Sequence, residues 1–333
     1  MSTRHPLLPL LLTAGCLSCG QDGPTPLENR APLFSAVHPS GASLIVDDDG
    51  AQCSDAQFTS IQAAVDAAAP GDRILVCTGT YLEQVTVSTN DVRIHAQNKA
   101  GPYGRGRRAS VVVDAHGHDF GFRVLNASGV MIEGFDVEHA HEADIFLSGA
   151  SATTIRSNVT TGAGHDGIEL VGSHDNVIEH NVSIDNPAVN ACGINVAGGS
   201  LRNVVRHNRL VNNEWGIQIS GGTTADNVIA RNVSLGNRGN GIRNVGGASG
   251  TLIEQNRASS NGSTPSASTT GTTNAGIHVA SGTNIVVRDN QALDNLAVDL
   301  RSEAGSGATF AGNHCRTSSP SGLCERSRPS TSP

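Results

Sequence analysis

The chain is built largely from short runs in which apolar and polar residues alternate, separated by corners of asparagine, glycine and serine. The segment 227–235, NVIARNVSL, is typical of these runs. Alternation over a few residues, bounded by turn-forming residues, indicates a β-strand. With a corner at residues 231–232, we expect four apolar residues of this segment to point inward: Val228, Ala230, Val233 and Leu235. No sustained helical period follows residue 70, so the pattern predicts an all-β chain.

The same phrase returns along most of the sequence. Its leading asparagines stand 23 to 34 residues apart: Asn158, Asn181, Asn208, Asn232, Asn256, Asn290 and Asn313. A second asparagine follows five residues later in most copies: Asn186, Asn213, Asn237, Asn261 and Asn295. A Gly-Ile pair comes shortly afterwards, as in Gly216-Ile217. Self-similarity at this period indicates a stack of repeated coils.

A period with three short strands fits one coil of a parallel β-helix, in which neighbouring coils lie about 4.8 Å apart. The repeated asparagines would then lie above one another, so that each side-chain amide donates to the next. An asparagine at a corner also tolerates the left-handed backbone region. We therefore predict that the asparagines are structural and that the outer surface of the stack carries the function.

The phrase Asn-x-Val/Ile-x-x-Asn, followed by Asn-x-x-Gly-Ile, resembles the repeats of the pectate-lyase-like superfamily. Within that superfamily it is most similar to the NosD-type and carbohydrate-active β-helix repeats. Residues 58–83 resemble the usual N-terminal start of that fold. The resemblance covers about residues 42–325 and implies a single-stranded right-handed parallel β-helix whose open end is closed by a capping α-helix at 58–69. It implies no single activity, because the superfamily contains lyases, hydrolases, epimerases and non-enzymatic proteins.

The first 16 residues have the character of an export signal. Arg4 precedes a short apolar run, and Thr13-Ala14-Gly15-Cys16 resembles a bacterial lipobox in which threonine replaces the usual leucine. We expect a lipid on Cys16, with ordinary secretion as the alternative, and hence a place outside the cytoplasm at the outer membrane or cell surface. Residues 17–41 are expected to form a flexible tether, and 326–333 a disordered tail.

The cysteines and the charge narrow the picture further. Cys53 and Cys77 flank the capping helix, and Cys315 and Cys324 flank the C-terminal end, so we predict two disulfides, which an exported chain permits. Metal binding by these four cysteines is the less favoured alternative, and we expect Cys192 to be a packed thiol.

The net charge is −8, from 22 basic and 30 acidic residues, so nucleic acid is not an expected partner. We expect one elongated, monomeric domain.

Aligning the Gly-Ile strands places one outward residue from each coil in a single column: Phe146, Glu169, Asn195, Gln218, Arg243, His278 and Asp299. The residue that precedes each of these outward residues in the sequence would point inward, and the last of these inward residues is Val298. A row of polar side chains at strand spacing suits an extended polymer, and we expect Asn195, Gln218 and His278 to bind it. The alternative is an ordinary solvated face. The loops before these strands vary most in length, at 187–191 and 262–274, so they would wall a groove.

Acids and histidines are densest where His139, His141 and Glu142 face the next coil. There we expect His165, Asp166 and Glu169, with Arg243, to be catalytic as general acids and bases. Glu142, Asp144 and Asp166 could bind a divalent cation such as Ca²⁺, and Trp215 could stack on a sugar ring. Surface polar residues without a function remain the alternative.

Two catalytic signatures of known members of the superfamily are missing from this sequence. The paired aspartates of polygalacturonases and the Asp-Pro-His-Asp signature of alginate epimerases do not occur, and His165-Asp166 is half of the latter. The leading hypothesis is therefore a surface-anchored protein that binds, and as a lyase or epimerase modifies, an acidic polysaccharide. A non-catalytic glycan-binding or adhesion module and a NosD-like accessory protein for metal handling are the alternatives.

Overall fold

A computed structural model describes residues 41–97, 110–186, 188–262 and 274–325. The expectations for the signal and for a lipid on Cys16, for nearly all of the tether and for the tail concern residues outside these ranges, as does most of the loop 262–274. No helix in the described part is long and apolar enough to cross a membrane.

Three parallel sheets run along the described part of the stack, and each complete coil contributes one strand to each sheet in turn. Sheet A has 11 strands, namely Ser43–Val46, Arg73–Val76, Arg93–Ala96, Met131–Glu133, Thr154–Arg156, Val177–Glu179, Val204–Arg206, Val228–Ala230, Leu252–Glu254, Ile285–Arg288 and Ala308–Ala311. Sheet B has nine, namely Gly79–Tyr81, Val111–Asp114, Asp136–Glu138, Val159–Thr161, Val182–Ile184, Arg209–Val211, Val233–Leu235, Arg257–Ser259 and Gln291–Leu293. Sheet C has ten, namely Val85–Val87, Phe120–Leu125, Ala143–Ser148, Asp166–Val171, Cys192–Ala197, Trp215–Ser220, Ile242–Val245, Ala275–Val279, Val298–Ser302 and Ser318–Ser319. The predicted all-β parallel solenoid is confirmed.

The helix at the N-terminal end spans Ile61–Ala67, shorter than the expected 58–69. Its N-cap is Ser60, whose hydroxyl accepts a hydrogen bond from the Ala63 amide, and the Glu83 carboxylate accepts from the first two helical amides. These acceptors satisfy donors that a helix start leaves unpaired. The buried side of the helix packs on the first coil through Ile61, Ala64 and Val65.

The core is a stack of aliphatic side chains, one layer per coil. In sheet C the inward column is Ile145, Ile168, Ile194, Ile217, Ile242, Ile277 and Leu300, all fully buried. The last member differs from the expected Val298, and the outward residue of that coil is Arg301 where Asp299 was expected. Asp299 lies instead at the corner, where it accepts from the amide of Asn295.

The asparagines form continuous ladders inside the corners, as predicted. From Asn158 to Asn313 each side-chain amide donates to the carbonyl oxygen of the next at 3.0–3.2 Å. The second set, from Asn186 to Asn295, forms the same ladder at the next corner. A third ladder, Asn176–Asn203–Asn227, was missed although its asparagines recur at the same spacing. Each sheet-to-sheet corner thus carries its own ladder.

Two details of the predicted corner are wrong. The left-handed residue is the one before the asparagine, for example Arg231 with φ 56° before Asn232. The asparagine can then turn its side chain inward, where Asn232 is fully buried. This places Ile229 and Ser234 in the interior rather than Val228, Val233 and Leu235. A shift of one residue exchanges the two faces of a strand.

The glycine of each Gly-Ile pair is required by a close approach between coils. A Cβ atom on Gly216 would lie 2.1 Å from Ser234 Oγ and 2.2 Å from the Gly241 carbonyl oxygen. We therefore expect Gly216→Ala to lower the free energy of unfolding by about 3 kcal/mol, the upper end for overpacking, as measured by urea denaturation. The control is Gly222→Ala, where the nearest atom would be 3.8 Å away. Equal losses in the two variants would show that the contact is easily relieved.

Both predicted disulfides are present, Cys53–Cys77 and Cys315–Cys324. They lie at opposite ends of the stack, where a solenoid has fewest neighbouring strands. Cys192 is a buried free thiol, as expected.

Candidate functional site

The outer face of sheet C carries the predicted polar column in register. Phe146, Glu169, Asn195, Gln218, Arg243 and His278 are direct neighbours on successive strands, and Arg301 continues the column. Arg123 precedes Phe146 at the other end. Because strands lie about 4.8 Å apart, these side chains form one row along the stack.

A chain of hydrogen bonds links the middle of this column. Arg243 Nε donates to Gln218 Oε1 at 2.7 Å, and Gln218 Nε2 donates to Asn195 Oδ1 at 3.1 Å. Asn195 Nδ2 then donates to Asp166 Oδ2 at 3.0 Å and to Glu169 Oε1 at 3.4 Å. The charges at the ends fix the direction of the chain, since an arginine can only donate and a carboxylate accepts. Asn195, which is 5% exposed, is thereby committed to holding the two acids.

The Asp166 carboxylate is fully buried and oriented on every side. Its Oδ1 accepts from the Cys192 amide at 2.6 Å, and its Oδ2 lies 3.0 Å from His165 Nδ1. Because Oδ2 is an acceptor, Nδ1 carries the proton and Nε2 of a neutral His165 has a free lone pair. The hydrogen bond with Asp166 raises the pKa of His165, against the lowering effect of burial. Asp166 thus fixes the orientation of the His165 imidazole.

Glu169 is the acid with the most informative environment. Burial, together with the negative charge of Asp166, raises the pKa of Glu169 to about 7. The positive charge of His165 acts in the opposite direction, and Glu142 adds to the rise. Glu169 therefore exchanges a proton near neutral pH, close to the imidazole of His165, whose pKa is raised. Such a pair is what proton transfer to and from a substrate needs.

Arg243 does not join that pair. It lies three strands from Glu169, which at the usual strand spacing is about 14 Å along the sheet. Its guanidinium carbon lies 3.4 Å from the ring centroid of Trp215, and burial lowers its pKa. The predicted role of Trp215 in stacking on a sugar would require this guanidinium to move, since the ring is only 3% exposed.

The far end of the column holds a second group of charges. His278 Nε2 lies 3.2 Å from Glu303 Oε1, the same oxygen that accepts from Arg301 Nε. His278 is 6% exposed, and burial lowers its pKa. With Arg243 one strand away, this half of the column presents two guanidinium groups around a buried imidazole.

The residues expected to bind calcium do not fit an ion in this arrangement. Asp144 takes the corner position of Gly167 in the next coil, is fully buried, and accepts from the Ala140 amide. Burial raises the pKa of Asp144 well above its usual range, and the closed corner leaves no access for an ion from solution. Both oxygens of Asp166 already have donors, while Glu142 is half exposed beside His141. Asp144 instead accepts a backbone hydrogen bond within its own corner, as Asp299 does in a later coil.

An aromatic pair at the N-terminal end of the column was missed. The rings of Phe120 and Phe146 stack with centroids 4.6 Å apart, and both are partly exposed. Phe146 neighbours Glu169 directly. Phe120 is in register with Ala143 rather than with Phe146, and its coil lacks the asparagine phrase, so the repeat gave no signal for this pair.

Sheet A differs from sheet C on its outer surface. Its charged residues pair between neighbouring coils, Arg156 with Glu133 at 2.9 Å, Arg206 with Glu179 at 2.8 Å and Arg288 with Glu254 at 2.7 Å. Paired exposed charges contribute little to stability. Because they neutralise each other, they also leave little electrostatic potential to attract a charged ligand. Glu169, whose pKa is raised to about 7, and the stacked Phe120–Phe146 pair lie on sheet C, which makes that face the candidate site.

Solved structures with the same fold include an alginate lyase from Paenibacillus sp. str. FPU-7, with a TM-score of 0.64 and 17% identity over 84% of this chain and 96% of that one. Pectate lyase Pel9A matches with a TM-score of 0.55 and 16% identity over 86% and 82% of the two chains. DFA-IIIase from Arthrobacter chlorophenolicus A6 matches with a TM-score of 0.55 and 16% identity over 76% and 78%. At these identities the likeness is one of fold.

Comparison with curated protein sequences gave no match. The family model for the right-handed β-helix region matches twice, over residues 74–233 and 120–292. Together these matches span most of the coils described above, including every residue of the column from Arg123 to His278. The chain therefore belongs to the right-handed β-helix family.

Proposed function

We propose that this protein binds an acidic polysaccharide along the outer face of sheet C and cleaves it by β-elimination. The observation that carries the proposal is the His165–Asp166 pair beside Glu169, whose pKa is raised to about 7. The fold is shared with an alginate lyase and a pectate lyase, which supports a polysaccharide as the class of substrate.

The chemistry follows from the two titrating groups. Neutral His165 takes the C5 proton of a uronate through Nε2, and the electron pair of that C–H bond forms the C4=C5 double bond. The C4–O bond breaks, and protonated Glu169 gives its proton to the departing glycosidic oxygen. One proton is taken and one returned, so the site is restored by a proton exchange with water. Asp166 and Asn195 hold both groups in place.

The rest of the column suits a chain of sugars. The spacing between coils is close to the length of a pyranose unit, so successive side chains can meet successive sugars. The Phe120–Phe146 pair offers an apolar surface to a ring face next to Glu169. Arg243 and Arg301 flank the buried His278 on successive strands, and their guanidinium groups provide donors for the carboxylates of an acidic polymer.

The proposed setting is outside the cytoplasm, as a monomer. The two disulfides support it, since such bonds persist in oxidising compartments. A lipid on Cys16 would hold the protein at a membrane, where the β-helix would meet polymers of the cell surface or the surroundings.

The test is a screen of the full mature chain against uronate-containing and neutral polysaccharides. We expect the ultraviolet absorbance of unsaturated uronates to increase on acidic polymers alone. The assay is run with calcium and with a chelator, and we expect equal rates, because the predicted calcium ligands do not fit an ion. Retention on a polymer without product would identify a non-catalytic binding module and refute the elimination chemistry. If the protein gave no product and was retained on no polymer, the whole proposal would be refuted.

A further inference from the structure

We infer that a second site, on the outer face of sheet B, binds a divalent first-row transition metal ion such as Zn²⁺. Its ligands are Asp114, Glu138 and His139. One ligand atom from each lies within 4.8 Å of the other two, which allows them to share an ion. None of the three takes part in the proposed elimination, so the inference stands independently of it.

Two of these ligands lie on strands, and the third lies at the corner that follows. Asp114 and Glu138 are direct partners at the ends of adjacent strands of sheet B, and both point outward beside the inward Val137. His139 follows Glu138, and its Nδ1 lies 3.1 Å from Asp114 Oδ1 and 4.0 Å from Glu138 Oε1. The backbone amide of His116 donates to Asp114 Oδ1 and orients that carboxylate, as outer partners of metal ligands do.

Acidic residues at these positions depart from the pattern of the other coils. In the later coils the positions in register with Glu138 hold no acid: Thr161, Ile184, Val211, Leu235, Ser259 and Leu293. Two acids facing each other on adjacent strands repel and destabilise a sheet. A local choice that opposes the fold without a structural gain points to a function.

The site is open to an ion from solution. The side chains of His139, Glu138 and Asp114 are 50%, 35% and 22% exposed. The residue in register with His139 in the next coil is Gly162, which has no side chain to cover the imidazole ring. One imidazole and two carboxylates suit Zn²⁺ or a similar ion, with water in the remaining positions.

The test is calorimetric titration of the full chain with Zn²⁺, and absorbance titration with Co²⁺ as a spectroscopic substitute. We expect one strong site per chain, weakened at least 10- to 100-fold by each of D114N, E138Q and H139N, since loss of an outer partner alone has that effect. The matched control is H174N. His174 makes a similar contact with Asp175 at 2.9 Å, but there the third partner is Arg202 rather than an acid.

All four substitutions are at solvent-accessible positions, so we expect each variant to fold. Circular dichroism is the check on folding. Loss of binding in the three ligand variants, with H174N unchanged, supports the site. A wild-type chain that binds neither Zn²⁺ nor Co²⁺, or binding that survives all three ligand substitutions, overturns it.

Discussion

Replacing Glu169 with glutamine should lower the rate of product formation on an acidic polysaccharide by about 10²- to 10⁴-fold, the usual contribution of a positioned acid or base. Glutamine keeps the size of the side chain and can still meet the Asn195 amide. It has no proton to give to the departing oxygen. The substitution also removes an acid whose charge is unfavourable in its buried setting, so the variant should remain folded. His165→Asn is expected to cause a comparable loss by removing the base.

The pH dependence separates the two roles. A base must be neutral, so the rate should fall as the pH drops through the raised pKa of His165. An acid must be protonated, so the rate should also fall as the pH rises through the pKa of Glu169 at about 7. The wild-type profile of kcat/KM is therefore bell-shaped and narrow near neutral pH, with apparent values that belong to the coupled pair. The residual activity of Glu169→Gln should lose the alkaline limb.

Glu179→Gln is the matched control for Glu169→Gln. Glu179 is an outward glutamate of the same coil, but it lies on sheet A, where it pairs with Arg206. Its substitution should leave the rate and the pH profile unchanged. If Glu169→Gln retained full activity with an unaltered alkaline limb, Glu169 would not be the acid, and the chemistry would have to be placed elsewhere on the column.

Much of the fold could be predicted from the sequence because a solenoid repeats one solution. Each asparagine phrase reports on the same corner, so seven weak signals reinforce one another. The same repetition aligned the Gly-Ile strands correctly from Ile145 to Ile277. The alignment failed at Leu300, in the last complete coil, where Asp299 replaces the glycine and no neighbour corrects the register.

The inward set of the strands was harder to predict. A corner asparagine is polar and looks external, yet it points inward and satisfies the backbone of neighbouring coils. The period of two is interrupted at the corner, because Ile229 and Asn232 both point inward although they are three residues apart. An inward set counted without that interruption was wrong for Val228 and Leu235. The two faces of such strands are both apolar, so hydrophobicity alone could not decide between Ile229 and its neighbours.

The candidate site was predicted as a set of residues but not as an arrangement. Asp166 and Glu169 share one strand and His165 directly precedes it, so their proximity followed from the sequence. Arg243 belongs to the same column, but three strands separate it from Glu169, and only the number of coils between them reveals that distance. The burial of Asp144 was invisible because its position is glycine in neighbouring coils.

Substituting Asn232 with alanine should lower the free energy of unfolding by about 3–5 kcal/mol, since four partners lose a buried hydrogen bond at once. Its Oδ1 accepts from the backbone amide of Asn208 at 2.9 Å and from its side chain at 3.0 Å. Its Nδ2 donates to the Val205 carbonyl at 2.8 Å and to Asn256 Oδ1 at 3.1 Å. The residue is fully buried, so water cannot replace these partners without opening the corner.

The measurement is urea unfolding followed by the fluorescence of Trp215, the single tryptophan, which lies in the same coil as Asn232. The control is Gln291→Ala, an exposed amide on a strand of sheet B, for which a change within about 0.5 kcal/mol is expected. A loss below 1 kcal/mol in Asn232→Ala would mean that the aliphatic layers alone hold the coils together. A large loss would show that the ladders supply cohesion between coils that the small residues of this core, poor in aromatic side chains, do not.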